Sequence, residues 1–198
     1  MYSDTKIEFI LPTFNRPNNL LSVIYCLKAQ TSNRWCAHVV IDGNQNIGLY
    51  VPIIEMFKND EQIRFSMLDK NYNDWGHTPR NYGMENSKEE WVIMTGDDNY
   101  YVPTFVELFL SNVDDNTNIV YCDMIHNHEE YEFYFNCELS ICKIDIGNFM
   151  VRSKYGKTIK LNVEIPDADG FYVEEYSQKY CKDSTNIKHI KQALYVHN

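Results

Sequence analysis

Apolar runs as short as β-strands alternate with segments whose apolar residues recur at helical spacing, and few folds accept that rhythm. IEFILP (7–12) and CAHVVID (36–42) are β-branched and nearly continuous, as strands covered on both faces must be. Between them, NNLLSVIYCLKAQ (18–30) sets Leu20, Ile24 and Leu27 on one helical stripe, with Asn18 as its expected N-cap. A further helix near 50–58 leads to a strand, IRFSML (63–68). TPRNYGMENS (78–87) reads as a helix with Thr78 at the cap and Pro79 at the first helical position. EWVIMT (90–95), VPTFVELFLSNV (102–113) and NIVYCDMI (118–125) continue as strand, helix, strand. This order predicts a mostly parallel, doubly wound sheet joined by right-handed crossovers.

The second half changes character. EEYEFYFN (129–136) and ELSICKIDI (138–146) alternate as antiparallel strands do, and a helix near 169–182 precedes a short terminal segment, IKHIKQALYVHN. At 198 residues, with no repeat and no linker, the chain is expected to form one domain.

Charge narrows the partners. A formal net charge of −10 argues against a broad nucleic-acid or anionic-membrane surface, since both need clustered Lys and Arg. Six cysteines show no CxxC pair, and several lie inside apolar runs, so free thiols in a reducing compartment are expected. No basic-then-apolar leader opens the chain and no run of ~18 apolar residues interrupts it. The expected location is cytoplasmic, either as a whole protein or as one module of a longer one.

VIMTGDDNYYVP (92–103) leaves two adjacent carboxylates, Asp97 and Asp98, directly after a buried strand, and Asp42 stands likewise after HVVI. In open α/β sheets ligands bind beyond the carboxyl ends of the strands. Like charges this close repel unless a cation intervenes, and oxygen-only ligands suit Mg²⁺ or Mn²⁺. The alternative is a bland one: Asp97, Asp98 and Asn99 capping the helix that starts at Pro103.

FILPTFNRP before an amphipathic helix, then VVIDGN, then NDWGHTPRNYGMENSKEEWVIMTGDDNYYVP, resembles the nucleotide-sugar half of GT-A fold glycosyltransferases, in particular the inverting, family-two-like group. The likeness covers residues 7 to about 113 in order and spacing. It implies an α/β, Rossmann-like, mostly parallel twisted sheet with helices on both faces and a small antiparallel acceptor-side sheet. Residues 1–115 would hold the nucleotide sugar and 116–198 the acceptor and the catalytic group.

The resemblance also implies roles. Pro12, Thr13, Phe14, Asn15 and Arg16, on the loop after the first strand, would line the nucleoside pocket, with Asn73 beside them. Asp42 would accept a hydrogen bond from the base edge. Arg80, in PRNYG, would reach the phosphates. The D-x-D of the family falls on Gly96-Asp97-Asp98, a departure because its first position is glycine. Asp98, with Asp97, would hold the metal, and Asp97 would also touch the donor. Gly147 and Asn148 in KIDIGNFMVRSKY would tip a loop closing over the donor sugar and acceptor. In IPDADGFYVEEY, Asp169 would be the base, with Asp167 in reserve, although both could simply cap the helix that follows. His197 in LYVHN would complete the metal shell. Trp75, in a polar loop with His77 beside it, could stack on base or sugar.

The implied activity is metal-dependent, inverting transfer from a nucleoside-diphosphate sugar, UDP-linked by family frequency, to a hydroxyl of a glycan or other acceptor. A nucleotidyltransferase making nucleotide sugars is the alternative enzyme, but PTFNRPNNL lacks the glycine-rich loop such enzymes usually carry. A catalytically idle carbohydrate-binding module is the third reading, favoured by Gly96. YGKT (155–158) lacks the earlier glycine of a phosphate loop, since position 151 is valine. His126 and His128 have no HExxH or cysteine partner, so zinc is not expected there.

Overall fold

The structure, a computed structural model, describes residues 5–126 and 133–198. Its strands are β1 (Ile7–Thr13), β2 (Trp35–Ile41), β3 (Ile63–Met67), β4 (Trp91–Met94), β5 (Tyr100–Tyr101), β6 (Ile119–His126), β7 (Tyr134–Phe135), β8 (Phe149–Arg152) and β9 (Ile187–His197). The helices are α1 (Pro17–Lys28), α2 (Val51–Phe57), α3 (His77–Glu85), α4 (Phe105–Ser111), α5 (Ser153–Gly156) and α6 (Ala168–Tyr180). Among the described residues the strands form a single sheet in the order β3-β2-β1-β4-β8-β6-β9-β5, with β7 pairing β6. The expected α/β class holds, and its antiparallel part is continuous with the parallel part.

Every residue of β1 is buried, and its two faces feed two cores. Ile7, Phe9 and Leu11 pack with α1, α2 and α4, while Ile10 meets Met84 of α3 and Tyr172 and Tyr176 of α6. Helices on both faces therefore account for the unbroken apolar run. Helix α3 lies so close to β1 that a Cβ on Gly83 would come within 2.2 Å of Ile10 Cγ2. Glu8, the odd charge in that run, is fully buried. It accepts from Arg64 Nη2 at 2.6 Å and from the Lys88 N–H at 2.6 Å, so its charge is paired as burial requires.

Helix starts differ from expectation. Pro17, with its fixed φ and missing N–H, takes the first turn of α1, so Arg16 rather than Asn18 is the N-cap. In α3 the cap is Gly76 at φ +81°, and Thr78 lies inside the helix. The free N–H of Thr78 is satisfied from outside, by Asp74 Oδ2 at 2.9 Å.

The second half needs more correction. ELSICKIDI forms turns, and of the described residues of EEYEFYFN, 133–136, Tyr134–Phe135 is strand; residues 129–132, like His128, lie outside the described residues. The antiparallel partner is instead FMVR, β8, wedged between β4 and β6. The terminal segment is an eleven-residue strand, parallel to β6 and broken in register around Asp123. No described helix is long and apolar enough to cross a membrane.

Candidate active site

Chain order reverses at β1: α1 leads to β2 and β3 on one side, and α3 returns the chain to β4 on the other. The crevice at such a reversal is where open α/β sheets bind ligands. A cavity of about 640 Å³ opens there, beyond the carboxyl ends of β1, β2 and β4. Of the expected donor residues, Pro12, Thr13, Phe14, Arg16, Asp42, Asn73, Trp75, Arg80, Asp97 and Asp98 line it. Asn15 does not: its backbone is left-handed at φ +55°, and its Oδ1 accepts from Asn46 Nδ2 at 2.6 Å.

The acidic couple sits at the β4 end of this cavity. Asp97 is 2% exposed, and Thr13 Oγ1, at the adjoining end of β1, donates to its Oδ2 at 2.7 Å. Burial pushes the Asp97 carboxyl up to about 6, against the pull of Thr13 and Arg16. Arg16 grips both carboxylates, with Nε 3.3 Å from Asp97 Oδ1 and Nη1 2.6 Å from Asp98 Oδ2. At Gly96, where the resemblance would set a first carboxylate, neighbouring side chains fill the space. A Cβ at Gly96 would lie 2.7 Å from Asp98 Oδ1 and 2.9 Å from Asn99 Nδ2, so a side chain there would displace Asp98.

Residues 71–77 form the outer wall. Asp42 accepts from Asn71 Nδ2 at 2.7 Å and from the Tyr72 N–H at 3.2 Å, so the expected base reader also anchors this loop. Asp74 is a functional candidate that sequence reasoning missed. It is 7% exposed, lines the cavity, and its Oδ1 has no hydrogen-bond partner among the described residues. The signal available was an Asp four residues before Thr78, readable as a cap. Arg80 donates from Nε to the Thr95 carbonyl at 2.9 Å and from Nη1 to the Trp75 carbonyl at 2.8 Å. Because neutral oxygens hold it in place, its charge is not tied to one carboxylate. Burial eases its proton off while Asp145, Tyr195, Asp169 and Asp98 hold it on, and a guanidinium keeps its charge throughout.

Arg80 and Trp75 also wall a second cavity, of about 130 Å³, which contains Asp169 and Asp145. Asp169 is half-buried in the first turn of α6. Burial and then the negative charge of Asp145 push it up to about 6, against the Gly170 N–H and Arg80. A base poised there is ionised, yet still basic, near neutrality. Asp167 is exposed at the N-cap of α6, makes no side-chain cap bond, and faces a third cavity beside Asp169.

Gly147 and Asn148 do not stand at an open tip. A Cβ on Gly147 would meet the Tyr195 phenol at 2.6 Å, and Asn148, fully buried, donates to the Cys122 carbonyl at 2.8 Å. What this turn delivers is Asp145, which the sequence reading passed over. It accepts from the Gly147 N–H at 2.8 Å and from the Tyr195 hydroxyl, and its Oδ2 lies 3.1 Å from His197 Nδ1. Burial pushes the Asp145 carboxyl up, but His197 and these donors outweigh it and hold the group below its ordinary range. A lone Asp between two isoleucines in KIDIG was the available sign, and both isoleucines are buried.

Among the described residues no three His, Cys, Asp or Glu side chains converge as a ready metal cage. The donor set nevertheless fits a hard divalent ion that takes most of its ligands from phosphate and water, because two carboxylates already close on one cationic group, the Arg16 guanidinium.

The family described as "Glycosyl transferase family 2" matches residues 8–173. An N-acetylglucosaminyltransferase of Bradyrhizobium sp. (strain ANU 289) is 36% identical over 70 residues, 33% of this chain and 44% of the relative. The crystal structure of S. aureus TarS 1-349 in complex with UDP-GlcNAc superposes with a TM-score of 0.76 at 16% identity, over 98% of this chain and 58% of that one. The mannosyltransferase PcManGT from Pyrobaculum calidifontis, in complex with GDP-Man and Mn²⁺, gives 0.70 at 10% identity, over 97% and 56%. At such identities the likeness is one of fold. The chain spans under half of the curated relative and about 60% of the structural ones.

Proposed function

This chain belongs to glycosyl transferase family 2, and from that membership we propose that it transfers a sugar, with inversion, from a UDP-linked donor to a hydroxyl of a glycan or other acceptor, with Mn²⁺ or Mg²⁺ as cofactor. The observation that carries the reading is the pair of adjoining cavities that share Arg80 and Trp75. One ends at the acidic couple and the other holds a carboxyl tuned to about 6. The nucleotides named for the TarS and PcManGT complexes support a nucleoside-diphosphate donor in the larger cavity.

Transfer breaks the bond between the anomeric carbon and the β-phosphate oxygen, and the electron pair leaves with the diphosphate. Arg80, pointed by two carbonyls, faces that growing charge. Asp98 and Asp97, with His197 adding a nitrogen, would hold a divalent ion, whose chemistry is to neutralise the departing diphosphate. Asp169 takes the proton of the acceptor hydroxyl as its oxygen bonds to the anomeric carbon from the opposite face. One base and one displacement invert the centre, by the geometry that separates the two classes of glycosidase. Residues 1–115 supply the donor side and 116–198 the base. Six free cysteines suit a cytoplasmic setting.

Thermal unfolding with Mn²⁺ and a panel of nucleotides tests this, followed by NMR of the product anomer. Stabilisation by UDP or GDP with metal and an inverted product are expected. Preference for a nucleoside triphosphate with a sugar phosphate would indicate a nucleotidyltransferase, and indifference to nucleotides an idle module.

A further inference from the structure

Trp75 is placed as few tryptophans are. It is 59% exposed, and its backbone is left-handed at φ +56°, a conformation costly for a bulky residue. Neither feature helps the fold. The loop around it is nonetheless firmly held, by Asp42 through residues 71 and 72, by Asp74 through Thr78, and by Arg80 through the Trp75 carbonyl. Strain maintained around an exposed aromatic points to a ligand.

The surroundings say which ligand. The indole lies 5.9 Å from the His77 ring, and His77 is tied to the Asp169 segment, with Nε2 3.0 Å from the Ile165 carbonyl. A carbonyl only accepts, so Nε2 carries the hydrogen, and burial favours the neutral ring. Its Nδ1 is then an acceptor, buried and without a partner among the described residues. The Asp169 cavity thus offers one flat apolar face, the neutral His77 ring, the Asp145 and Asp169 carboxylates and the Arg80 donor. A lipid chain would desolvate those charges without replacing their hydrogen bonds. A pyranose has an apolar C–H face and a rim of hydroxyls, and it matches both halves of the lining.

We propose that Trp75 is the platform for a saccharide acceptor, carrying the ring whose hydroxyl Asp169 deprotonates. This rests on the transferase reading and adds the acceptor's class to it. Trp35 and Trp91 are 2% and 0% exposed, so the emission that acrylamide can quench belongs to Trp75. With UDP and Mn²⁺ bound, methyl glycosides and neutral trisaccharides of glucose, mannose and N-acetylglucosamine should shield it further than UDP and Mn²⁺ do alone, since Trp75 also borders the donor cavity. Quenching that no saccharide lowers below its level with UDP and Mn²⁺ overturns the proposal. If UDP with Mn²⁺ fails even to raise the melting temperature, it is the transferase reading that has failed. Trp75→Gly removes the platform and accepts the left-handed backbone, so it should fold. It should weaken saccharide binding about tenfold, as loss of an aromatic face does, and more than it weakens UDP binding. Trp75→Phe should recover part of that affinity. A glycine variant that binds saccharide as the native protein does refutes the platform.

Discussion

Replacing Asp169 by Asn separates what this carboxylate does for chemistry from what it does to stability, and the two should move in opposite directions. As the proposed base, Asp169 must be ionised. With its value raised from 3.8 to about 6, the ionised fraction should fall roughly tenfold between pH 7 and pH 5, and turnover with it. A carboxyl left at its ordinary value would give a flat profile over that range. Loss of the base should lower turnover by ~10²–10⁴-fold and remove this acidic limb.

The same shift burdens the fold. Below the unfolded value the group is protonated in both states and has no effect. Between 3.8 and about 6 the folded state holds the proton more tightly, so stability falls as pH rises, and above that the penalty is complete. The full conversion is ~3 kcal/mol, which partial solvent access reduces to about 1–2 kcal/mol. Asp169→Asn should therefore be more stable than the native chain at pH 8 by that amount and nearly equal to it below pH 4. Urea unfolding at several pH values gives the difference directly, and cancels the contribution of Asp97, which both proteins share. A variant that is inactive yet no more stable at pH 8 would mean that Asp169 is not held above its normal range. One that transfers sugar at the native rate would remove it from the mechanism.

Three further outcomes follow from the other end of the site. Gly96→Asp, which restores the family's motif on paper, should weaken Mn²⁺-supported UDP binding, because the new side chain displaces Asp98; tighter binding by calorimetry would refute the steric argument. Arg80→Met should lower turnover about 10²-fold, as loss of one charge-stabilising donor does, and weaken UDP more than uridine; equal losses for the two would show that Arg80 does not address the phosphates. In EDTA, UDP should bind no more tightly than uridine, and Mn²⁺ should strengthen UDP alone.

The donor half was readable because its elements are local. β1, β2 and β4 are apolar runs buried on both faces, and the reversal at β1 follows from strand order, so Thr13, Asp42 and the acidic couple had to share one edge. Helix caps were misplaced because proline geometry and a distant acceptor, Asp74, outweighed the nearest polar residue. The acceptor half was harder for a physical reason. β8 has only four residues and owes its pairing to neighbours 28 or more positions away in sequence, while ELSICKIDI alternates yet finds no strand partner among the described residues. Asp145 was hidden in that misread segment, and its meaning depends on Tyr195 and His197, which arrive only with β9.

Charge ties the two halves together. Asp98, Asp145 and Asp169 surround Arg80, and Asp97 adds a fourth carboxylate on the same loop as Asp98. Arg16, Arg80 and His197 do not outnumber them, so the crevice is close to neutral or negative before a donor enters. A diphosphate brings about two more negative charges, and each like pair ~5 Å apart costs about 3 kcal/mol at an effective dielectric near 20. The overall charge of −10 offers no relief from farther away. Arg16 is the replaceable member of the set: its side chain is 53% exposed, and its shorter pair, with part-exposed Asp98, is worth only ~0–1 kcal/mol. Arg80, held by two carbonyls, is the fixed one. If the proposed donor binds here, a site with one rigid cation, one that releases cheaply and four carboxylates would bind its diphosphate only in the company of a further positive charge, and the departure of Arg16 would leave vacant the position between Asp97 and Asp98 proposed for that charge.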